Sequence, residues 1–273
     1  MTLTGGLSKL RSELGDTVSY RLPVGDDELP LDPLSGQHLS IRFTGEIECT
    51  HCGRATKKSF NQGHCFPCSQ RLAACDICIV RPERCHYHQG TCREPEWGET
   101  HCLQPHVVYL ANTSGLKVGI TRKGQIPTRW IDQGARQALP VAEVASRRIA
   151  GLLEVSLAEH VADRTDWRAM LKGDPAPVDL EASSRELMAT AAKTIEGLRE
   201  RFGETAVSLN EDARPVSIRY PVLEHPVKVR SLNLDKQAEI EGTLAGIKGQ
   251  YLIFDAGVLN VRKFTGYKVV IES

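Results

Sequence analysis

All nine cysteines of this 273-residue chain fall between Cys49 and Cys102, and the rest of the sequence contains none. That crowding constrains the fold more than any other feature. An odd number of thiols packed into one short segment makes a poor disulfide framework, and in a reducing compartment it points to metal. The segment from Cys49 to about Pro105 is also rich in His, Gly and Pro and shows little hydrophobic periodicity, as expected of loops folded around an ion. Metal binding would then supply the folding energy that a small apolar core lacks.

Cys49-x2-Cys52 and Cys65-x2-Cys68 are thiolate pairs separated by twelve residues, and Gly53 and Gly63 give the turns beneath them their backbone freedom. Two such knuckles facing each other complete the tetrahedron that zinc prefers, so a zinc ribbon is expected. After it come Cys75, Cys78, Cys85, His86, His88, Cys92, His101 and Cys102, more donors than one further site can use. A second zinc is expected. Cys75, Cys78, Cys85 and His88 make one ligand set, and exchanging some of these for Cys92 and Cys102 makes another; spacing does not choose between them. An iron–sulfur cluster is the rival, but the histidines favour zinc. A site closed by four protein ligands is structural rather than catalytic, so both Zn2+ ions are read as scaffolding.

Composition excludes a general electrostatic attraction. With 34 basic and 34 acidic residues, the chain has no global pull towards nucleic acid or a membrane surface, and any such binding needs a local patch. One exists: His106 to Ala150 holds Lys117, Arg122, Lys123, Arg129, Arg136, Arg147 and Arg148 against Asp132 and Glu143, a local excess of five positive charges. Lys57 and Lys58, beside Arg54 on the ribbon's loop, are further candidates for phosphate contact. No apolar run approaches the roughly 20 residues a membrane span needs, and Met1 to Leu14 is too polar for a signal peptide. A soluble, cytoplasmic protein is expected.

Four regions differ in character, and together they predict an α+β protein. Residues 1–48 form an acidic arm with strands at Val18 to Val24 and Leu39 to Ile47, expected to pair with strands elsewhere. Residues 49–105 are the metal module. Residues 106–212 begin with apolar strands His106 to Ala111 and Leu116 to Thr121, joined by Asn112-Thr113-Ser114-Gly115, a hairpin signal. A helix at Thr128 to Gln133, a strand at Leu139 to Ala145 and a helix at Arg147 to Val161 complete a β-β-α-β-α order. Ser183 and Glu186 form a capping box for a further helix whose apolar stripe runs to Phe202. Residues 213–273 alternate β-prone stretches (Ser217 to Tyr220, Ile240 to Leu244, Gln250 to Phe254, Val258 to Lys263, Lys268 to Ile271) with Gly-bearing turns, the pattern of a small antiparallel barrel or sandwich.

Within His106 to Asp166 the chain resembles the GIY-YIG superfamily, compact domains that cut or bind nucleic acid using a tyrosine, an arginine and a metal-binding glutamate. Val107-Val108-Tyr109 is similar to its first motif and Lys117-Val118-Gly119 to its second; Arg129 falls on the following helix and Glu154 on the later one. The resemblance implies catalytic positions at Tyr109, Lys117, Arg129 and Glu154, with Mg2+ or Mn2+ at Glu154 in an active enzyme. It also has departures, since Val107 replaces the first glycine, Lys117 the second tyrosine and Asp166 the terminal asparagine. Most of the sequence further resembles an uncharacterised bacterial family that joins such cysteine knuckles to stretches like Lys117-Val118-Gly119-Ile120-Thr121-Arg122.

Three functions compete. A zinc-ribbon protein that binds DNA or RNA through an inactive or weakly active GIY-YIG-like module accounts for the basic cluster of Lys117, Arg122, Lys123 and Arg129. An active divalent-metal-dependent nuclease accounts for Tyr109, Arg129 and Glu154, but a lysine is a poor stand-in for a tyrosine hydroxyl. A zinc-stabilised scaffold for protein partners needs no nucleic acid.

Overall fold

The two ends of the chain fold together. Strands β1 (Thr2–Gly6), β2 (Arg11–Glu13), β3 (Ser19–Val24), β4 (Asp27–Pro30) and β5 (His38–Ile47) open the sequence. Helices α1 (Phe66–Arg71) and α2 (Pro95–His101) lie in the cysteine-rich module. The central unit comprises β6 (His106–Asn112), β7 (Leu116–Arg122), α3 (Thr128–Asp132), β8 (Gln137–Val144) and α4 (Arg147–Leu157). It continues through α5 (Trp167–Lys172), α6 (Leu180–Thr190), α7 (Ala192–Phe202), β9 (Val207–Leu209) and β10 (Val216–Ser217). Strands β11 (Glu239–Lys248), β12 (Tyr251–Phe254), β13 (Gly257–Asn260) and β14 (Tyr267–Glu272) close the chain. The computed structural model describes residues 1–273.

One antiparallel sheet has the order β1-β14-β5-β11-β12-β13, so strands from both termini interleave. Ile41 of β5 pairs with Ile240 on one side and Ile271 on the other. Such a central strand needs apolar side chains on its core face, and Leu39 and Ile41 are fully buried there. A small sheet, β2-β3-β4, shares the same core through Tyr20, Leu22, Val24 and Leu29. The acidic arm thus finds its partners at the far end of the chain.

The central unit is a sheet of order β10-β8-β6-β7, with β9 also on β8. Every residue of β6 is buried because both faces are covered. Val108 and Leu110 face a core with Ile149, Leu153, Leu187 and Leu198 from α4, α6 and α7. Val107, Tyr109 and Ala111 face the terminal β unit and Trp130 and Ile131 of α3. The hairpin register pairs Tyr109 with Gly119 and Ala111 with Lys117. With a side-chain period of two, that places Tyr109 and Lys117 on the same face.

Several elements differ from the sequence-based expectation. The helix expected to reach Val161 ends at Leu157, and the chain turns so that Ala162 O accepts from Val118 N at 2.8 Å along the free edge of β7. The expected capping box at Ser183 lies inside α6, whose N-cap is Asp179; its carboxylate accepts from Ala182 N at 2.9 Å. A carboxylate there satisfies an orphan N–H and complements the helix dipole, so it starts the helix earlier than Ser183 would. The stripe to Phe202 is broken at Ala191 into α6 and α7. Of the stretch Ser217 to Tyr220 only Ser217 lies in a strand, paired with Val216 in β10, because Tyr220 turns inward and its hydroxyl donates to Ala135 O at 2.9 Å. The strand expected to run to Lys263 stops at Asn260, whose side chain caps a 3-10 turn. Strands β1, β2, β4 and β9 and helices α1, α2 and α5 were not anticipated. No helix is long and apolar enough to cross a membrane.

Candidate metal centre and basic site

The ribbon is built by two tight turns. Cys49 N donates to Arg54 O and Gly53 N to Cys49 O, each at 2.9 Å, folding the first knuckle around Gly53 at φ +66°. Phe60 and His64 exchange backbone hydrogen bonds at 2.8 Å across Asn61 and Gln62, both with positive φ, and this hairpin delivers Cys65 to the start of α1. Thr50 N donates to Gly63 O at 2.9 Å and ties the knuckles together. As a result the sulfurs of Cys49, Cys52, Cys65 and Cys68 lie within 4.8 Å of one another, a group that could hold a metal ion. Cys49, Cys65 and Cys68 are buried and Cys52 is exposed. Burial works against a Cys49 thiolate, but the N–H groups of Cys65, Cys52 and His51 outweigh it and draw its pKa down to about 6. Burial and the neighbouring sulfurs push Cys68 up to about 12. A cation among the four sulfurs would remove that conflict.

Between α1 and α2 the chain makes a series of 3-10 turns that bring a second set of donors together. Asp76, Cys78 and His86 form a group that could hold an ion, and Cys85, Cys92 and Cys102 line the same small cavity. Cys75 is placed elsewhere, packed against the ribbon cysteines, and its carbonyl accepts from Asn61 Nδ2. His88 lines neither group. His101 stacks on Trp97, with ring centroids 4.1 Å apart.

The remaining sequence-derived residues gather where α3 and α4 approach β6 and β7. Tyr109 is fully buried, its ring lying over Gly119, where a Cβ would come within 2.7 Å of Oη. With the Gln133 amide oriented to suit its neighbours, its oxygen accepts from Arg129 Nε (3.1 Å) and Nη2 (3.0 Å) while its nitrogen donates to Tyr109 Oη (3.0 Å). Burial raises the Tyr109 pKa, and Arg129 opposes that rise. Lys117 is only 5% exposed, and burial reinforced by Arg129 lowers its pKa to about 8 against the pull of Glu154 and Asp163. Burial raises Glu154 to about 7, opposed by Lys117, Arg129 and Arg147. Neither Lys117 nor Arg129 has a carboxylate within 4.0 Å. Asp132, three residues after Arg129 on α3, bonds Lys9 at 3.0 Å and Gln250 at 2.8 Å instead.

Other candidates are more peripheral. Lys123 is exposed and pairs with Glu143 at 2.7 Å; Arg122 is half-buried, and Lys57 and Lys58 are exposed on the ribbon loop. Asp166 caps α5 by accepting from Arg168 N and Ala169 N. Two residues near the site were not singled out from sequence. Gln133 is polar and carries no motif signal. Arg262 feels the charge of Arg129 and donates from Nε to Gln62 Oε1 at 2.6 Å, so it joins the ribbon hairpin to the basic site.

No curated protein and no solved structure matches the chain at a significant level. One family does match, over residues 36–269, a span that takes in both cysteine groups, the central unit and most of the terminal sheet. The chain therefore belongs to the family described as protein of unknown function, DUF2797.

Proposed function

We propose that this is a zinc-stabilised protein that binds nucleic acid through a central unit similar to the GIY-YIG superfamily, with little or no nuclease activity. The observation that carries this reading is that Tyr109, Lys117, Arg129 and Glu154 arrive from β6, β7, α3 and α4 and act on one another electrostatically. Two cations without carboxylate partners, one of them buried, are costly unless an anion is to be bound there, and a phosphodiester supplies that anion. Arg147 and Arg262 add positive charge at the borders of the site. The ribbon supports the metal assignment. Four Zn–S bonds of about 2.3 Å place tetrahedral sulfurs about 3.8 Å apart, and Cys52 Sγ and Cys65 Sγ are separated by 3.8 Å. Weak or absent cleavage follows from the residues in place. Lys117 stands where a tyrosine hydroxyl would be, and a carboxyl with a pKa of about 7 is a poorer divalent-metal ligand at neutral pH than an ionised one.

Binding of labelled duplex DNA and RNA, followed by fluorescence anisotropy against salt, tests the reading. The combined Lys117→Met and Arg129→Gln substitutions should weaken binding across sequences and reduce the log–log salt slope by roughly one per lost phosphate contact on duplex. Unchanged affinity and slope in a folded double variant would sink the nucleic-acid reading and leave a scaffold for protein partners. Strong cleavage with Mg2+ or Mn2+ that Glu154→Gln abolishes would instead establish an active nuclease.

A further inference from the structure

The ribbon has an outer face that its four cysteines do not account for. Between Cys49 and Leu72 the sequence holds Arg54, Lys57, Lys58 and Arg71 and no acidic residue. All four cations are exposed, and none has a carboxylate within 4.0 Å. The nearest acids in sequence are neutralised by other cations: Glu48 pairs with Lys268 at 2.6 Å and Asp76 with Arg93 at 2.7 Å. This face therefore keeps its positive charge, and an anionic polymer is the partner that complements it.

An aromatic ring stands on the same face. Helix α1 buries Cys68 and Ser69, which leaves its first residue, Phe66, on the outer side. Phe66 is 56% exposed, and it is the one aromatic among the large apolar side chains that the fold leaves in solvent. Phe60 meets it at a centroid distance of 5.5 Å and an interplanar angle of 63°. An edge-to-face neighbour props the ring without covering it as a parallel one would. Lys58 Nζ lies 5.5 Å from the Phe60 centroid, so Lys58, Phe60 and Phe66 form one continuous strip.

Building on the nucleic-acid reading of the central unit, we propose that this strip binds single-stranded nucleic acid, with a base stacked on Phe66 and backbone phosphates on Lys57 and Lys58. Stacking selects single strands. In a duplex each base is covered by its neighbours, whereas an unpaired base can lie flat on an aromatic ring. Base identity matters little, because every base has a π-face. The strip also adjoins the central site. Gln62, in the turn of the Phe60–His64 hairpin, accepts from Arg262 Nε at 2.6 Å, and Arg262 lies in the field of Arg129. A strand held on the ribbon thus leads towards Lys117 and Arg129.

Fluorescence anisotropy of the full chain with labelled oligothymidylate, oligouridylate and a mixed-sequence duplex tests this. Phe66→Ala should lower single-strand affinity about 5- to 100-fold, the worth of one base stacked on an aromatic ring, while its salt slope, duplex affinity and melting temperature stay as in wild type. The combined Lys57→Gln and Lys58→Gln substitutions should instead reduce the single-strand salt slope by about 0.7 per lost phosphate contact. Phe66→Trp should bind single strands as wild type does, and the oligonucleotide should quench its added indole emission. Wild-type single-strand affinity in a folded Phe66→Ala protein, or an equal loss on duplex, would overturn the proposal. If Lys117→Met with Arg129→Gln weakens binding while Phe66→Ala does not, the ribbon strip is ruled out and the central site stands; the reverse pattern supports the strip and removes the central site. Should Phe66→Ala unfold, Phe66→Trp decides, and an indole emission unchanged by saturating oligonucleotide rules the stack out.

Discussion

Half-buried Glu154 and buried Lys117 have pKa values displaced towards each other, to about 7 and about 8. For Glu154 the native state keeps its proton to higher pH than the unfolded chain, so between pH 4.5 and about 7 its contribution makes stability fall as pH rises. The upper bound is roughly 3 kcal/mol, reduced because the side chain keeps some solvent contact. Glu154→Gln should therefore flatten the loss of stability over that window, read from urea midpoints at pH 5 and 7.5. Lys117 behaves in the opposite sense. Between about pH 8 and 10.5 the native state has lost a proton that the unfolded chain still holds, so stability gains as pH rises. Each group favours the other's charged form, and Lys117→Met should push the Glu154 midpoint above 7; a carboxyl NMR titration that left it in place would show that the two do not interact. Sequence placed both residues among the candidate site positions, but the burial of Lys117 that displaces its pKa comes only from the packing of β7 against the rest of the fold.

At the level of elements, contacts too close for a methyl group join the central unit internally and to the metal module. Tyr109 lies over Gly119, and an added Cβ would meet its ring at 2.7 Å with both strands fully paired. Gly119→Ala should cost about 1–3 kcal/mol by overpacking and displace the hydroxyl from Gln133, seen as a lower melting temperature and a shifted tyrosine signal. Gly151→Ala drives a methyl into Pro82 and Glu83. It should cost a similar amount, about 1–3 kcal/mol, while leaving the ribbon thiols of Cys49 and Cys52 protected from alkylation. Equal melting temperatures for wild type and Gly151→Ala would mean that the module yields freely. The helix and hairpin limits around these glycines were mostly readable from local pattern, because caps, turns and periodicity act within a few residues. The early end of α4 was not, because its cause is the pairing of Ala162 with the edge of β7.

For the whole molecule, the interleaved terminal sheet has a direct consequence. Residues 213–273 include β11 and β14, but β5 lies between them and pairs with both. Expressed alone, that segment should lack a cooperative melting transition and show poorly dispersed amide signals, because Leu39 and Ile41 are missing from the middle of its core. A sharp transition from the fragment would show that the sheet closes without β5. Much of the chemistry was already determined by sequence: the two Cys-x2-Cys knuckles, the basic excess from His106 to Ala150, and the β-β-α-β-α order all rest on spacing and periodicity, which local backbone geometry obeys. Tertiary structure alone decided which thiols share the second cavity, that Tyr109 and Lys117 share a face, and that Arg262 comes beside Arg129. Those outcomes depend on strand register and on contacts between residues far apart in the chain, and no local pattern of side chains encodes which distant partner will fill a given face.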